Sequence, residues 1–183
     1  NYAGLVKHGG DETLYREEVG ANFENWEQYY GKRQSAILEG QPNLFHGNDR
    51  HPEFANIVEA LSLEPGQRVL DYGCATIAVG EHLIRYLDPQ CYVGMDVSKE
   101  AIELGRKRIR ETDLYLKGPV VLHLPQGEFP SESLLHFDYA IALSVFTHCP
   151  PKTILAIIKY VRSLLKPGGK FMADVCLVEK DII

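Results

Sequence analysis

From residue 68 onward, short apolar runs alternate with segments whose apolar residues recur at helical spacing. The strand-like runs cover residues 68–71, 91–96, 120–124, 139–143 and 171–175. The run at 139–143 is almost entirely apolar, which is typical of a parallel strand covered by helices on both faces. The alternation predicts an α/β fold with a doubly wound, mostly parallel sheet and right-handed crossovers.

The segments between these runs predict helices. One covers residues 79–87, a second follows Ser98 as its N-cap, and a third begins at the Pro150-Pro151 pair and ends in a turn at residues 166–169. The third helix should bury one apolar stripe, made of Ile154, Ile157, Ile158, Val161, Leu164 and Leu165.

Residues 1–55 differ from the rest because they hold eight of the 18 aromatic residues: Tyr2, Tyr15, Phe23, Trp26, Tyr29, Tyr30, Phe45 and Phe54. A disordered tail would be poor in aromatic residues. We therefore expect two regions, a helical extension or lid over residues 1–55 and an α/β core over residues 56–183. Tyr29 and Tyr30 are candidates to close over a cofactor or substrate, and plain packing is the alternative.

Composition narrows the class of protein. The 183 residues suit one α/β domain, with 45% hydrophobic and 24% charged residues. A net charge of −6 disfavours a nucleic-acid partner, and no apolar run is long enough for a membrane helix. The four cysteines lie far apart, which predicts no metal site and a cytoplasmic setting. Composition does not determine the oligomeric state.

In an open α/β sheet, the ligand binds beyond the carboxyl ends of the strands. Gly73 follows the first strand and lets the backbone approach a ligand, and Asp96 ends the second strand, where a carboxylate suits a ribose diol. The loop from Gly73 reads G-C-A-T-I-A-V-G and lacks G-x-G-x-x-G, which argues against a nicotinamide dinucleotide. Acidic strand ends instead suit a cationic, ribose-bearing and phosphate-free cofactor such as S-adenosylmethionine.

Four segments in order, residues 69–74, 92–98, 137–148 and 165–171, resemble the motifs of class I S-adenosylmethionine-dependent methyltransferases, in particular the small bacterial members of type 11 or 12. The resemblance covers roughly residues 55–178. It implies that Asp71, Gly73 and the Cys74–Ala75 backbone line the methionine part of the cofactor. It further implies four contacts: Asp96 to the ribose, Val97 and Gln126 to the adenine, and the Leu143 carbonyl to the cofactor's amino group.

The chain departs from the family pattern at Ala75, where members usually have glycine. The added methyl group would either weaken cofactor binding or be admitted by a shift of the loop. The resemblance also implies a seven-stranded sheet, so we expect two further strands to lie outside this chain, beyond residue 175.

Methyl transfer from a sulfonium depends largely on proximity and alignment, and it needs a base only for a hydroxyl or a protonated amine. His148, after the fourth strand, is the candidate base, although it could instead cap the next helix. Ser144 is a candidate substrate contact. The resemblance thus implies methyl transfer to a small-molecule acceptor, with S-adenosylhomocysteine as product. The alternative is a non-catalytic, methyltransferase-like binding or regulatory module.

Overall fold

The computed structural model describes residues 51–125 and 136–175. Residues 1–50, which include Tyr29 and Tyr30, lie outside the described residues, as do Gln126 and residues 176–183. The first described element, helix α1 (His51–Leu61), runs across the boundary that the sequence predicted at residue 55.

Strands and helices alternate from residue 69 onward, as the sequence predicts. The strands are β1 (Val69–Tyr72), β2 (Tyr92–Asp96), β3 (Val120–His123), β4 (Phe137–Ala142) and β5 (Leu165–Ala173). The helices between them are α2 (Gly80–Tyr86), α3 (Lys99–Glu111) and α4 (Pro151–Leu164), and two short 3₁₀ helices cover Asp113–Lys117 and Phe146–His148. Ser98 caps α3 as predicted, because its side chain accepts the N–H of Ala101.

Within the described ranges, the strands form one parallel sheet in the order β3-β2-β1-β4-β5. The chain builds outward from β1 to β3 and then returns to the other side of β1 with β4. The strand order therefore reverses between β1 and β4. This is the place where an open α/β sheet binds its ligand.

Each face of the sheet carries its own hydrophobic core. Val69 faces a core that includes Ile57 of α1, Leu83 of α2 and Ile102 of α3. The next residue, Leu70, faces the opposite core under α4. Because successive side chains of a strand point to opposite faces, the position of each β1 residue decides which layer it joins.

Two details differ from the sequence prediction. The turn predicted at residues 166–169 lies inside β5, because Leu165 pairs with Phe137 and Lys170 with Tyr139. Three more residues on β5 than on β4 separate these pairs, so the Pro-Gly-Gly segment forms an irregularity in the strand. In α4, Ile158 was predicted to be buried, but it is 39% exposed.

None of the helices in residues 51–125 and 136–175 is both long enough and apolar enough to cross a membrane.

Candidate functional site

The loop after β1 is tied to the end of β2 by three backbone donors. The N–H groups of Gly73 and Cys74 both donate to the carbonyl of Met95, at 2.7 and 3.0 Å. The N–H of Ala75 donates to Oδ2 of Asp96 at 2.8 Å. The first predicted site segment and the predicted ribose-binding acid therefore meet at the carboxyl edge of the sheet.

Asp96 also organises the loop that follows it. Its Oδ1 accepts the N–H of Ser98 at 2.8 Å, so each carboxylate oxygen receives one backbone donor. Burial raises the pKa of Asp96, and the N–H groups of Ser98 and Ala75 act in the opposite direction. A carboxylate oxygen can accept more than one hydrogen bond, so Asp96 retains the capacity to accept from a diol.

Three residues of the loop after β1 have the positive φ angles that favour glycine, although two of these three are not glycine. The φ angles are +81° at Gly73, +47° at Ala75 and +60° at Ile77. Ala75 is exposed, whereas Ile77 is fully buried in the core beside α2 and α3. Its side chain lies close to Gly105 of α3, where an added Cβ would come within 3.2 Å of Ile77 Cγ2. Packing of Ile77 thus holds the loop in the left-handed conformation.

The carboxylate of Asp71 lies beneath the loop rather than on its surface. Asp71 is buried on the face that carries α2 and α3, and the hydroxyl of Tyr92 donates to its Oδ2 at 2.8 Å. Burial raises the pKa of Asp71 to about 7, although the bond from Tyr92 lowers it. The sequence predicts that Asp71 lines the methionine part of a cofactor, and the structure adds that its carboxylate is held by the Tyr92 hydroxyl directly before the loop.

Cys74 contributes its backbone alone to the edge. Its side chain is buried, and burial raises the pKa of the thiol. An added Cβ at Gly94 would come within 2.8 Å of the Cys74 sulfur, so the thiol packs directly over β2.

The loop after β4 faces the loop after β1. A Cβ on Gly73 would collide with Cγ2 of Val145, so these two loops are in close contact. Leu143 is half-buried, and Ser144 is exposed with a φ of +56°. The N–H of Ser144 donates to Oδ1 of Asp174 at 2.6 Å. The 3₁₀ helix Phe146–His148 follows and ends at His148. The side chain of His148 lies outside the described part of the structure.

Three polar residues near the edge were not identified from the sequence. Nε2 of His123, the last residue of β3, lies 3.1 Å from the carbonyl of Val97, the residue expected to contact adenine. Asp174 directly follows β5. Both stand at strand ends, so a systematic inspection of every strand end would have found them. The third residue is Thr76, in the loop after β1, and nothing in the sequence pattern distinguishes it from its neighbours.

The loop's donor set fits a polar, ribose-bearing ligand. Asp96 ends β2 at this edge, and its carboxylate can accept further hydrogen bonds from a diol. Thr76, the other polar residue of the loop, is 2% exposed. The described residues contain no group of three or more side chains suited to hold a metal ion.

Comparison with known proteins identifies the family. The model of a family described as "Methyltransferase domain" matches residues 70–171, more than half of the chain. A ribosomal protein L11 methyltransferase of Burkholderia ambifaria is 30% identical over 140 residues. That alignment covers 73% of this chain and 41% of the relative, so the chain spans about two fifths of its length.

Solved structures show the same fold. Magnesium protoporphyrin IX methyltransferase from Synechocystis PCC 6803 superposes with a TM-score of 0.53 at 22% identity, over 91% of this chain and 75% of that one. The YcgJ protein from Bacillus subtilis gives a TM-score of 0.56 at 19% identity, over 67% of this chain and 50% of that one. With the family match and the sheet topology, these likenesses support one conclusion: the chain belongs to the class I S-adenosylmethionine-dependent methyltransferases.

Proposed function

We propose that this chain binds S-adenosylmethionine at the carboxyl edge of the sheet and transfers its methyl group to a small-molecule acceptor. The observation that carries the proposal is the contact between the Ala75 N–H and the Asp96 carboxylate at 2.8 Å. It joins the glycine-type loop after β1 to the acidic end of β2. The resulting edge has a carboxylate for a ribose and a backbone surface without a pyrophosphate cradle.

When bound, the cofactor supplies a methyl group that its sulfonium already activates, so the protein's task is mainly proximity and alignment. In the proposal, Asp96 accepts hydrogen bonds from the ribose, and Val97 packs against the adenine. The backbone from Gly73 to Ala75 lines the methionine part, and the Leu143 carbonyl accepts from the cofactor's amino group.

On the acceptor side, the proposal assigns Ser144 to substrate contact and His148 to proton removal where the acceptor requires it. Asp71 keeps its predicted place beside the methionine part, with its buried carboxylate held by the Tyr92 hydroxyl. Gln126, Tyr29 and Tyr30 keep their predicted contacts, with Gln126 at the adenine and the two tyrosines over the cofactor or substrate.

A protein acceptor is the second candidate, because the relatives at about 30% identity are named for methylation of ribosomal protein L11. Incubation with methyl-labelled S-adenosylmethionine and a cell extract, followed by separation by size, distinguishes the two. Label in the low-mass fraction supports the small-molecule acceptor. Label in a protein band contradicts it and favours the second candidate.

Cofactor binding is tested first by calorimetric titration with S-adenosylmethionine, S-adenosylhomocysteine and NAD. We expect the two adenosyl ligands to bind and Asp96→Ala to weaken them at least about a hundredfold, because two hydrogen bonds to a charged acceptor are lost. Asp88→Ala, at an exposed aspartate after α2, is the matched control and should bind normally.

Asp96 also holds two backbone N–H groups, so Asp96→Asn and thermal unfolding of each variant separate lost binding from lost folding. Binding of NAD alone would contradict the proposal. Binding of none of the three by the folded wild type would favour the non-catalytic module.

A further inference from the structure

The end of β5 presents a carboxylate that the proposed cofactor contacts do not use. Asp174 is exposed and directly follows β5, yet its Oδ1 accepts the backbone N–H of Ser144 at 2.6 Å. The two residues are 30 positions apart in the chain. The bond therefore joins the tips of two adjacent parallel strands, β4 and β5.

This contact continues the sheet where the backbone ladder stops. Ala142 and Ala173 are the last residues that β4 and β5 pair. Beyond them, Ser144 adopts a φ of +56°, so the chain leaves the extended path of β4 at this residue. The Asp174 side chain then accepts the Ser144 N–H in place of a backbone carbonyl. A residue other than glycine keeps such a conformation only where its surroundings hold it.

The held segment is the one that the proposed function needs in a fixed orientation. Leu143 immediately precedes Ser144, and the peptide plane between them contains both the Leu143 carbonyl and the Ser144 N–H. Because that peptide unit is planar, a bond that fixes the N–H also fixes the direction of the carbonyl. The carbonyl and N–H of one trans peptide point in opposite directions, so Asp174 on one side aims the carbonyl to the other.

We propose that Asp174 is a positioning residue: its carboxylate fixes the Leu143–Ser144 peptide and thereby aims the Leu143 carbonyl at the amino group of bound S-adenosylmethionine. This inference rests on the proposed function for its consequence, whereas the contact itself is independent of any ligand. Asp174 acts through the backbone and touches neither cofactor nor acceptor.

The hydrogen bond and the negative charge of Asp174 are separable by substitution. Asp174→Asn retains a side-chain oxygen that accepts the Ser144 N–H and removes the charge, whereas Asp174→Ala removes both. Val175→Ala is the matched control, since Val175 is the adjacent residue and is 58% exposed.

The test combines two measurements on the four proteins. Amide hydrogen exchange at Ser144 reports the contact, and titration with S-adenosylhomocysteine reports its consequence. We expect the alanine variant to lose the protection of the Ser144 amide and about tenfold in affinity, as the loss of one charge-assisted hydrogen bond implies. Asp174→Asn should keep the protection and stay within about threefold of the wild type, and Val175→Ala should match the wild type in both.

Unchanged protection of Ser144 in Asp174→Ala overturns the proposal, whatever the cofactor affinity. If the wild type binds S-adenosylhomocysteine and Asp174→Ala loses the protection of Ser144 but keeps the wild-type affinity, the proposal is also overturned. The contact would then have only a structural effect. If the Asn variant loses affinity as fully as the Ala variant while it keeps the protection, charge rather than position is responsible, and the proposal fails. A wild type that binds no adenosyl ligand refutes the proposed function, and with it the assigned role, even if Ser144 is protected.

Discussion

At the scale of single residues, the carboxyl edge is where this chain departs from ordinary backbone geometry. Five described residues other than glycine have positive φ, and three of them, Ala75, Ile77 and Ser144, lie in the loops after β1 and β4. Such conformations cost free energy and tend to persist where function requires a particular backbone path. Two of the three lie in the loop after β1, and one of them, Ala75, is where the family resemblance leads us to expect glycine.

Substitution by glycine at Ala75 and Ile77 should have opposite effects on stability. Ala75→Gly relieves the strain of φ +47° at an exposed position, and we expect the free energy of unfolding to rise by about 1 kcal/mol. Ile77→Gly relieves similar strain but empties a fully buried site, so a loss of about 3 kcal/mol or more should prevail. Unfolding in urea measures both.

Gly118→Ala calibrates this comparison at a site away from the loop. Gly118 has a φ of +57°, and an added Cβ there would make only ordinary contact with Gln90, at 3.4 Å. The substitution should therefore cost about 1 kcal/mol from backbone strain alone. A loss of stability in Ala75→Gly would contradict the view that the Ala75 backbone is strained.

At the scale of elements, the start of α2 is fitted to a side chain from β2. A Cβ on Gly80 would collide with the Tyr92 hydroxyl and come within 2.8 Å of Cζ. That hydroxyl has little freedom to move, because it donates to the buried carboxylate of Asp71. Glycine at the first residue of α2 is therefore required by packing and not by its backbone angles.

Gly80→Ala should consequently destabilise the protein by about 1–3 kcal/mol, although alanine is the better helix former. Tyr92→Phe removes the colliding oxygen, so the double variant should lose less than the sum of the single variants. A double-mutant cycle in urea measures this coupling. Additive effects would mean that the helix shifts away from β2 and that the close contact is unimportant. Gly66→Ala, whose added Cβ would have 3.6 Å to its nearest neighbour, is the control.

The elements themselves were largely predictable, since the strands and helices follow from the alternation of apolar runs with helical periodicity. The two wrong predictions, a turn at residues 166–169 and a buried Ile158, arise where a local sequence pattern is read without its neighbours in the fold. The Pro-Gly-Gly segment of residues 167–169 predicted a turn, yet β4 holds both sides of it in register, and sequence alone does not reveal that partner. Ile158 fits the helical stripe of α4, but the surface that α4 covers is narrower than the stripe.

The site was predictable as a set of strand ends but not in its internal contacts. The meeting of Ala75 with Asp96 follows from the order of the strands, which the α/β pattern supplies. The direction of Asp71 depends on the pleat: it shares a face with Val69, two positions earlier, and so points at the helices. The bond between Ser144 and Asp174 required the register of β4 with β5, which short-range patterns do not contain.

At the scale of the whole molecule, ionisable groups in different layers respond to pH in opposite directions. Burial alone would raise the pKa of Asp138, but hydrogen bonds from Lys166 and from the Arg68 backbone outweigh it and lower the pKa. The same balance, with Arg108 and Arg85 as partners, lowers the pKa of Glu81. These two carboxylates contribute stability above their unfolded pKa values, and acid removes it. The pKa of Asp71 is raised instead, so its contribution to stability falls as pH rises. Comparison with a variant of Asp71 isolates this contribution from those of the other two carboxylates.

Asp71→Asn should gain stability relative to the wild type as pH rises. The ordinary pKa of an aspartate is 3.8, and that of Asp71 is raised by burial to about 7 in the folded protein, so the folded state binds more protons between these values. The stability contributed by Asp71 is therefore fully present below about pH 4, falls as pH rises and is lost above about pH 7. At about 1.36 kcal/mol per pKa unit, the difference approaches roughly 4 kcal/mol as an upper bound.

Urea unfolding of both proteins at intervals between about pH 4 and about pH 8 measures this difference directly, because the contributions of Asp138 and Glu81 cancel in the comparison. The Tyr92 hydroxyl can donate to the side-chain oxygen of aspartate or of asparagine, so the variant keeps the hydrogen bond from Tyr92. Tyr92→Phe should enlarge the pH dependence, since it removes the donor that favours the charged carboxylate. A stability difference that stays constant with pH, or that falls as pH rises, would show that Asp71 is ionised at an ordinary pKa and is not desolvated beneath the loop.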